Sequence, residues 1–492
     1  AQVARKPDGN VRLSKARLRA FRSMRVHFYE QLPRPLTACC CCACFALAFL
    51  ILVARLGIFG TLGLGLLLGE ISFFVRSRHL LRRLRRQKPL AERLPPPCGA
   101  TDLFARCLRD IEECAAWSGS RGPGRTPAQF LEGWFLGTPL AQIRRDNVLE
   151  LFAWAFFMKQ VSELEESERR TIAGMIDEWE RRFSCHFQDG YNAAAVPMRV
   201  NFDSLVVWHH PLLYYAGIYV LTAAVRLVLR LTGFTHHASR SGGISFFHKI
   251  RTPASGLPVV AGRAAAEPME PPVVFLHGVG VGLAYYLPII WRLSAGRECF
   301  VVELPEVSQA GIEDVLPPAA MAAAVAMMLQ VHGHTSACFV AHSWGSVVLS
   351  HVLRSRPDLV AKAVLIDPIC FLMTQPDLPY NFLYCQPKKL FTLVVKHFLR
   401  WELFTANVLM RQSYWYHNVM WKEDIPADCI VVLASGDDLI NPHAVRRYLE
   451  EHQCQQATEA PGSQLRLLWL EGFFHGKVLL SRLAQLQILE LL

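Results

Sequence analysis

From Pro271 to the C-terminus, short apolar runs take turns with longer stretches whose apolar residues recur every three or four positions. The runs are Val273–Leu276, Phe300–Leu304, Cys338–Ala341, Ala363–Ile366, Ile430–Leu433 and Leu465–Leu470. Such alternation predicts a parallel sheet with helices on both faces, hence an α/β domain. Between the fourth and fifth runs lies an insertion, about 369–427, dense in aromatics and methionine, among them Phe371, Trp401, Phe404, Tyr414, Trp415 and Trp421. Its rings are expected mostly to pack the insertion's own core, with a few left to line an apolar pocket.

The first half is patterned differently. Leu36–Val75 is an apolar tract interrupted only by Arg55 and Glu70. As one helix it would be about 60 Å long, twice the roughly 30 Å of a hydrocarbon core. Two halves, Leu36–Ala54 and Leu56–Val75, would each span, so a transmembrane or hairpin anchor is expected over 36–75. Basic residues on both sides, in segment 1–35 and from Arg76 to Lys88, would keep both flanks cytosolic. Residues 76–245 read as mainly helical. Asn147–Met158 is one apolar helix and Ser162–Phe183 a solvated one, with loops at Ser118–Gly124 and Thr252–Pro272. The apolar stretch 211–233 reads as a buried or interfacial helix with snorkelling Arg226 and Arg230, or as a further span. The last unit runs from 246 to 492.

Charge changes the picture once it is located. The net +11 of the 492 residues resides in residues 1–100, which hold 18 Lys+Arg against 4 Asp+Glu. Anionic lipid, not nucleic acid, is the partner this implies. Of 15 cysteines, five cluster at Cys39–Cys42 and Cys44, and none outside that tract forms a zinc-type pair of C-x-x-C units. Reduced core thiols are expected, and no metal or cofactor. His186, His209 and His210 read as surface or packing residues.

Candidate chemistry falls at the ends of the apolar runs. Ser343 stands in Ala341-His-Ser-Trp-Gly345, between a strand and a helical stretch. Such a junction forces a sharp turn that exposes Oγ beside a helix N-terminus. His277-Gly-Val-Gly280 follows the first run, Asp437 and Asp438 follow the fifth, and His475 follows the sixth.

These four features, in this order, resemble the α/β-hydrolase superfamily over residues 246–492. The resemblance implies a Ser343–Asp438–His475 triad, with Asp437 and Asp367 as rivals for the acid and His417 and His443 as substitutes for the histidine. It implies an oxyanion hole from the Val279 and Trp344 amides, a structural role for His277, and a cap at 369–427. Ala341 replaces the first glycine of the usual elbow. Together with the anchor, this implies a membrane-anchored serine hydrolase of lipid or long-chain esters, its partners being membrane lipids and the ester substrate. The endoplasmic reticulum or a lipid-droplet surface, with the catalytic domain facing the cytosol, is the expected setting. An acyltransferase using the same acyl-enzyme, and a non-catalytic membrane scaffold, are the alternatives.

Overall fold

The computed structural model describes residues 35–86, 96–118, 124–239, 243–251, 270–386, 396–459 and 464–492. The basic segment 1–34 and most of the loop expected over 252–272 lie outside these, as does the tip of the Ser118–Gly124 loop. The side chains of 35–53, Arg55 and Leu56 also lie outside them, including those of the cysteine cluster.

The apolar tract forms helix α1 (Pro35–Arg86), broken at Gly57, whose φ of 68° and ψ of 173° leave the helical region. Glycine takes that conformation without a Cβ penalty. The break lies two residues after Arg55. The helix does not stop at Val75, however, but runs on through the basic segment. Two compact units divide within it, at Ser72 and Phe73. In the first, apolar side chains face outward, with Phe59 86% and Leu66 71% exposed. In the second, Leu80, Leu81 and Leu84 are buried in a cluster with Leu205, Tyr215, Leu403, Phe404 and Met410. Arg83 pairs with Glu313, and Arg85 Nη2 donates to the Leu205 carbonyl at 3.0 Å. Part of the basic flank is thus engaged by protein.

Helices α2 (Ala100–Ala116), α3 (Pro127–Trp134), α4 (Arg145–Phe157) and α5 (Glu166–Arg182) follow. Their shared core takes in Tyr414, Tyr416, Val419 and Trp421 of the insertion. The helical region and the cap are therefore one packed body, and most cap aromatics serve that packing. His186 Nδ1 lies 3.2 Å from Glu180, His209 meets the Phe73 and Phe74 rings, and buried His210 bonds the Trp208 carbonyl. Helix α6 (Leu212–Leu231) buries Tyr215, Ile218, Val225 and Leu229 on one stripe. Arg226 makes a two-bond pair with Glu303 at 3.0 and 3.1 Å.

The sheet has eight strands: β1 (Thr235–His237), β2 (Ser245–Lys249), β3 (Val273–Leu276), β4 (Cys299–Glu303), β5 (Ala337–His342), β6 (Val360–Ile366), β7 (Asp428–Ala434) and β8 (Gln464–Leu470). Their order is β1-β2-β4-β3-β5-β6-β7-β8, parallel from β4 to β8, with β1–β2 and β2–β4 antiparallel. All six expected strands are present. The sheet begins at Thr235, before the expected boundary at 246. Helices α7 (Leu287–Leu293), α8 (Pro318–Val331), α9 (Trp344–Ser355), α10 (Pro442–Glu459) and α11 (Arg482–Leu491) accompany it. Its middle is dry: Val273–Leu276 and Phe339–Ala341 are fully buried. Of the ten cysteines whose side chains are described, six are buried.

The chain leaves β3 toward β4 on one side and β5 toward β6 on the other. In a parallel sheet this switch opens a crevice at the carboxyl ends of the two strands, where ligands bind. The His277 loop and Ser343 stand at that point.

Candidate active site

Strand β5 ends at His342 and helix α9 starts at Trp344, leaving Ser343 alone to make the turn. Its φ is 50° and ψ is −116°, a sparsely populated conformation that costs about 1–3 kcal/mol. The Ser343 amide is held by the Ile366 carbonyl at 3.0 Å, which keeps the turn on the sheet. Two glycines make room. A Cβ on Gly345 would lie 2.2 Å from the Leu276 carbonyl oxygen, and one on Gly278 would lie 2.9 Å from Ser343 Cβ. Ala341 sits inside β5, paired with Leu276 and Leu365, and has no positive φ. The first elbow position therefore has no conformational need for glycine.

Ser343 Oγ lies 2.9 Å from His475 Nε2, and His475 Nδ1 lies 2.7 Å from Asp437 Oδ2. The carboxylate expected at this position is Asp438; the structure places Asp437 there instead. The Asp437 side chain is 1% exposed, whereas Asp438 faces solvent. The physical reason is the turn after β7. Gly436 N–H is tied to the Phe473 carbonyl at 2.7 Å, and Asp437 N–H to Ala434 at 3.2 Å. Asp437 Oδ1 then accepts from the Leu439 and Ile440 amides at 2.8 and 3.3 Å, aiming Oδ2 at the imidazole. Burial alone would lower the His475 pKa, but the Asp437 carboxylate, by charge and hydrogen bond, raises it to about 9.

Asp367, the other rival, is buried just after β6 at φ 43°. Its oxygens accept from Ala434 N–H at 3.1 Å and Gly476 N–H at 2.8 Å. It fastens the histidine loop to β7 without bonding His475. Burial pushes its carboxyl up to about 6. His417 and His443 do not reach Ser343; the first packs on Tyr416 and the second on Trp469.

The loop after β3 is braced from beneath. His277 Nδ1–H donates to the Gly278 carbonyl at 2.8 Å, and Nε2 accepts from Leu304 N–H at 3.0 Å. Burial pushes its pKa down to about 4, so the imidazole is neutral and structural. The Tyr286 hydroxyl accepts from Gly278 N–H at 2.9 Å and donates to His342 Nδ1 at 3.0 Å. Gly280 N–H is taken by the Val307 carbonyl at 3.0 Å. Among the described residues the Val279 and Trp344 amides, the expected oxyanion donors, have no protein acceptor. Tyr286, His342 and Asp367 thus support the site, and the sequence pattern did not assign them those supporting roles. Their signal was only proximity to the motifs: Tyr286 lies shortly after the glycine loop and His342 directly before Ser343.

An array of this kind can pass the Oγ proton to the imidazole while a buried carboxylate holds the cation, with two free amides beside the reacting centre.

Residues 271–394 match the family model described as alpha/beta hydrolase fold. Among solved structures, naproxen esterase (carboxylesterase NP) from Bacillus subtilis is similar at 14% identity, with 56% of this chain and 96% of that one covered and a TM-score of 0.38. Esterase RhEst1 from Rhodococcus sp. ECU1013 is similar at 17% identity, covering 53% and 98%, with a TM-score of 0.33. A membrane phospholipase A described as a bacterial virulence factor is similar at 15% identity, covering 56% and 92%, with a TM-score of 0.38. No curated protein matches the chain. The sheet from Thr235 onward, its parallel order and the matched segment make the C-terminal part of this chain an α/β-hydrolase-fold domain.

Proposed function

We propose that the chain is a membrane-associated serine hydrolase of carboxylic esters, acting through an acyl-enzyme on Ser343. The observation that carries this reading is the unbroken line Ser343 Oγ–His475–Asp437, with both bonds under 3 Å. Neutral His475 takes the Ser343 proton as Oγ attacks the ester carbonyl. The oxyanion is received by the Val279 and Trp344 amides, where one donor is worth about 3 kcal/mol. His475 then gives the proton to the departing alkoxide. Water, deprotonated by the same imidazole, releases the acid and restores Ser343.

Membrane association is supported by two helical segments, Gly57–Arg86 and Leu212–Leu231, long and apolar enough to cross a bilayer. On α6, Leu213, Val220 and Leu231 are 77%, 69% and 77% exposed, while the opposite stripe is packed on the domain. An apolar face of that kind on a packed helix fits the interfacial layer of a membrane and favours long-chain esters as substrates. Flotation with phosphatidylcholine vesicles is expected to carry the wild-type chain, and Leu213→Asp/Val220→Asp/Leu231→Asp to weaken that binding measurably. Equal flotation of both chains excludes α6 as a contact.

Ester turnover over pH tests the chemistry. With His475 titrating near 9, kcat/KM for a 4-nitrophenyl ester rises about tenfold per pH unit below that value. In Asp437→Asn the limb shifts to lower pH, because the carboxylate that raises the histidine is gone. A wild-type profile flat from about pH 6 to 9 contradicts a histidine base in this setting. Product analysis with and without an alcohol acceptor separates hydrolysis from acyl transfer.

A further inference from the structure

Strands β1 and β2 form an antiparallel edge in which His237 faces Phe246 directly and Thr235 faces His248. Directly opposed residues share a face, and so do residues two apart on one strand. His237, Phe246 and His248 therefore lie on one face of the edge. His236 lies on the other, where Glu303 takes its Nε2 at 2.9 Å. Helix α8 covers the first face and ends over it in His332. The result is three imidazoles from three elements, with one nitrogen of each within 4.8 Å of the others. Their ring centres are 4.5, 5.3 and 6.0 Å apart. Three imidazoles on one tetrahedral ion stand about 5 Å apart, centre to centre, with nitrogens roughly 3.4 Å from one another. Small side-chain rotations cover the difference.

Two of the three rings also have one nitrogen committed to a second partner. A ligating histidine donates its second N–H to a carboxylate or carbonyl, which fixes the tautomer and makes the first nitrogen a better donor. His332 Nδ1–H donates to the Met328 carbonyl at 2.9 Å, leaving the Nε2 lone pair. His248 Nε2–H donates to Glu298 Oε1 at 2.7 Å, leaving the Nδ1 lone pair. Stacking sets the ring plane of two of them: His248 lies on Phe300 at 4.4 Å and 7°, His237 on Phe246 at 4.8 Å and 9°.

We propose that His237, His248 and His332 form a binding site for a divalent transition-metal ion of the zinc class, separate from the Ser343 site. Three neutral nitrogens and no thiolate or carboxylate in the ligand set select zinc, copper or nickel over calcium and magnesium. His237 and His332 are only partly buried, so the fourth position is reached by water. The bound ion would clip the edge hairpin β1–β2 to the end of α8.

The test uses the full chain, stripped with a chelator and titrated with Zn²⁺ against a chromophoric competitor. The wild-type chain is expected to bind one equivalent more than His237→Ala/His332→Ala; the comparison cancels any zinc held by cysteines. His236→Ala is expected to match the wild type. Glu298→Gln, which loosens the His248 orientation and the neighbouring His334 contact while leaving all three proposed ligands in place, is expected to weaken binding about 10- to 100-fold. Co²⁺ is expected to give the wild type a tetrahedral visible spectrum that the double variant lacks. Equal zinc uptake by wild type and double variant overturns the site. If the double variant fails to fold, unchanged affinity in Glu298→Gln overturns it instead.

Discussion

Asp437→Asn is expected to lower kcat/KM for ester hydrolysis by about 10⁴-fold, while Asp438→Asn stays within about threefold of the parent. The difference follows from what holds each carboxyl. The Leu439 and Ile440 amides would keep binding the oxygen of an asparagine at 437. Its amide NH₂ would then face His475 Nδ1 and donate to it. That fixes the proton on Nε2, the nitrogen 2.9 Å from Ser343 Oγ, which can no longer accept from the serine. Asp438 is exposed and bonds neither residue of the pair. A large loss in Asp438→Asn with Asp437→Asn nearly intact would reverse the assignment.

Gly345→Ala is expected to destabilise the domain by about 3 kcal/mol or more, because the added methyl meets backbone, which cannot rotate away. It would stand 2.2 Å from the Leu276 carbonyl oxygen, 2.7 Å from its carbon and 3.0 Å from its Cβ. Relief requires α9 to back off the sheet, and Ser343 moves with it. The denaturation midpoint and the ester turnover should therefore fall together. Ala341→Gly is the contrasting case, since that residue is an ordinary strand position. It is expected to cost about 1 kcal/mol through backbone entropy and to leave turnover nearly unchanged. A Gly345→Ala chain as stable as the parent would mean that helix and strand approach less closely than described.

The legible parts were those with redundant signals. Strands β3 to β7 announce themselves because each is buried along most of its length and reads as a mainly apolar run, and β8 by its leucines and Trp469, although it is mostly half-buried. The edge strand β1 and its neighbour β2 do not: Thr-His-His and Ser-Phe-Phe-His-Lys carry too little apolar character. Helix α4 was visible from its dense apolar content, and α5 from charges around a periodic stripe. The continuation of α1 past Val75 was not, since Leu80, Leu81 and Leu84 look like scattered residues in a basic run until Leu205 and Phe404 are seen against them. In the site, Ser343, His475 and the glycine loop were legible through the resemblance to the α/β-hydrolase superfamily, which rests on their order along the chain. The choice between Asp437 and Asp438 was not, because adjacent residues in a turn differ only in direction. That direction is set by long-range bonds such as Gly436 to Phe473. Asp367 was readable as a carboxylate beside the site, but its two amide partners come from β7 and the histidine loop, far away in sequence.

Labelling of the full chain with a fluorophosphonate, followed by peptide mass analysis, bears most directly on whether Ser343 is an activated nucleophile. The adduct is expected on Ser343, with one site per chain, absent in Ser343→Ala and formed far more slowly in His475→Ala. An adduct on a different serine, or undiminished labelling of Ser343→Ala, would contradict the assignment.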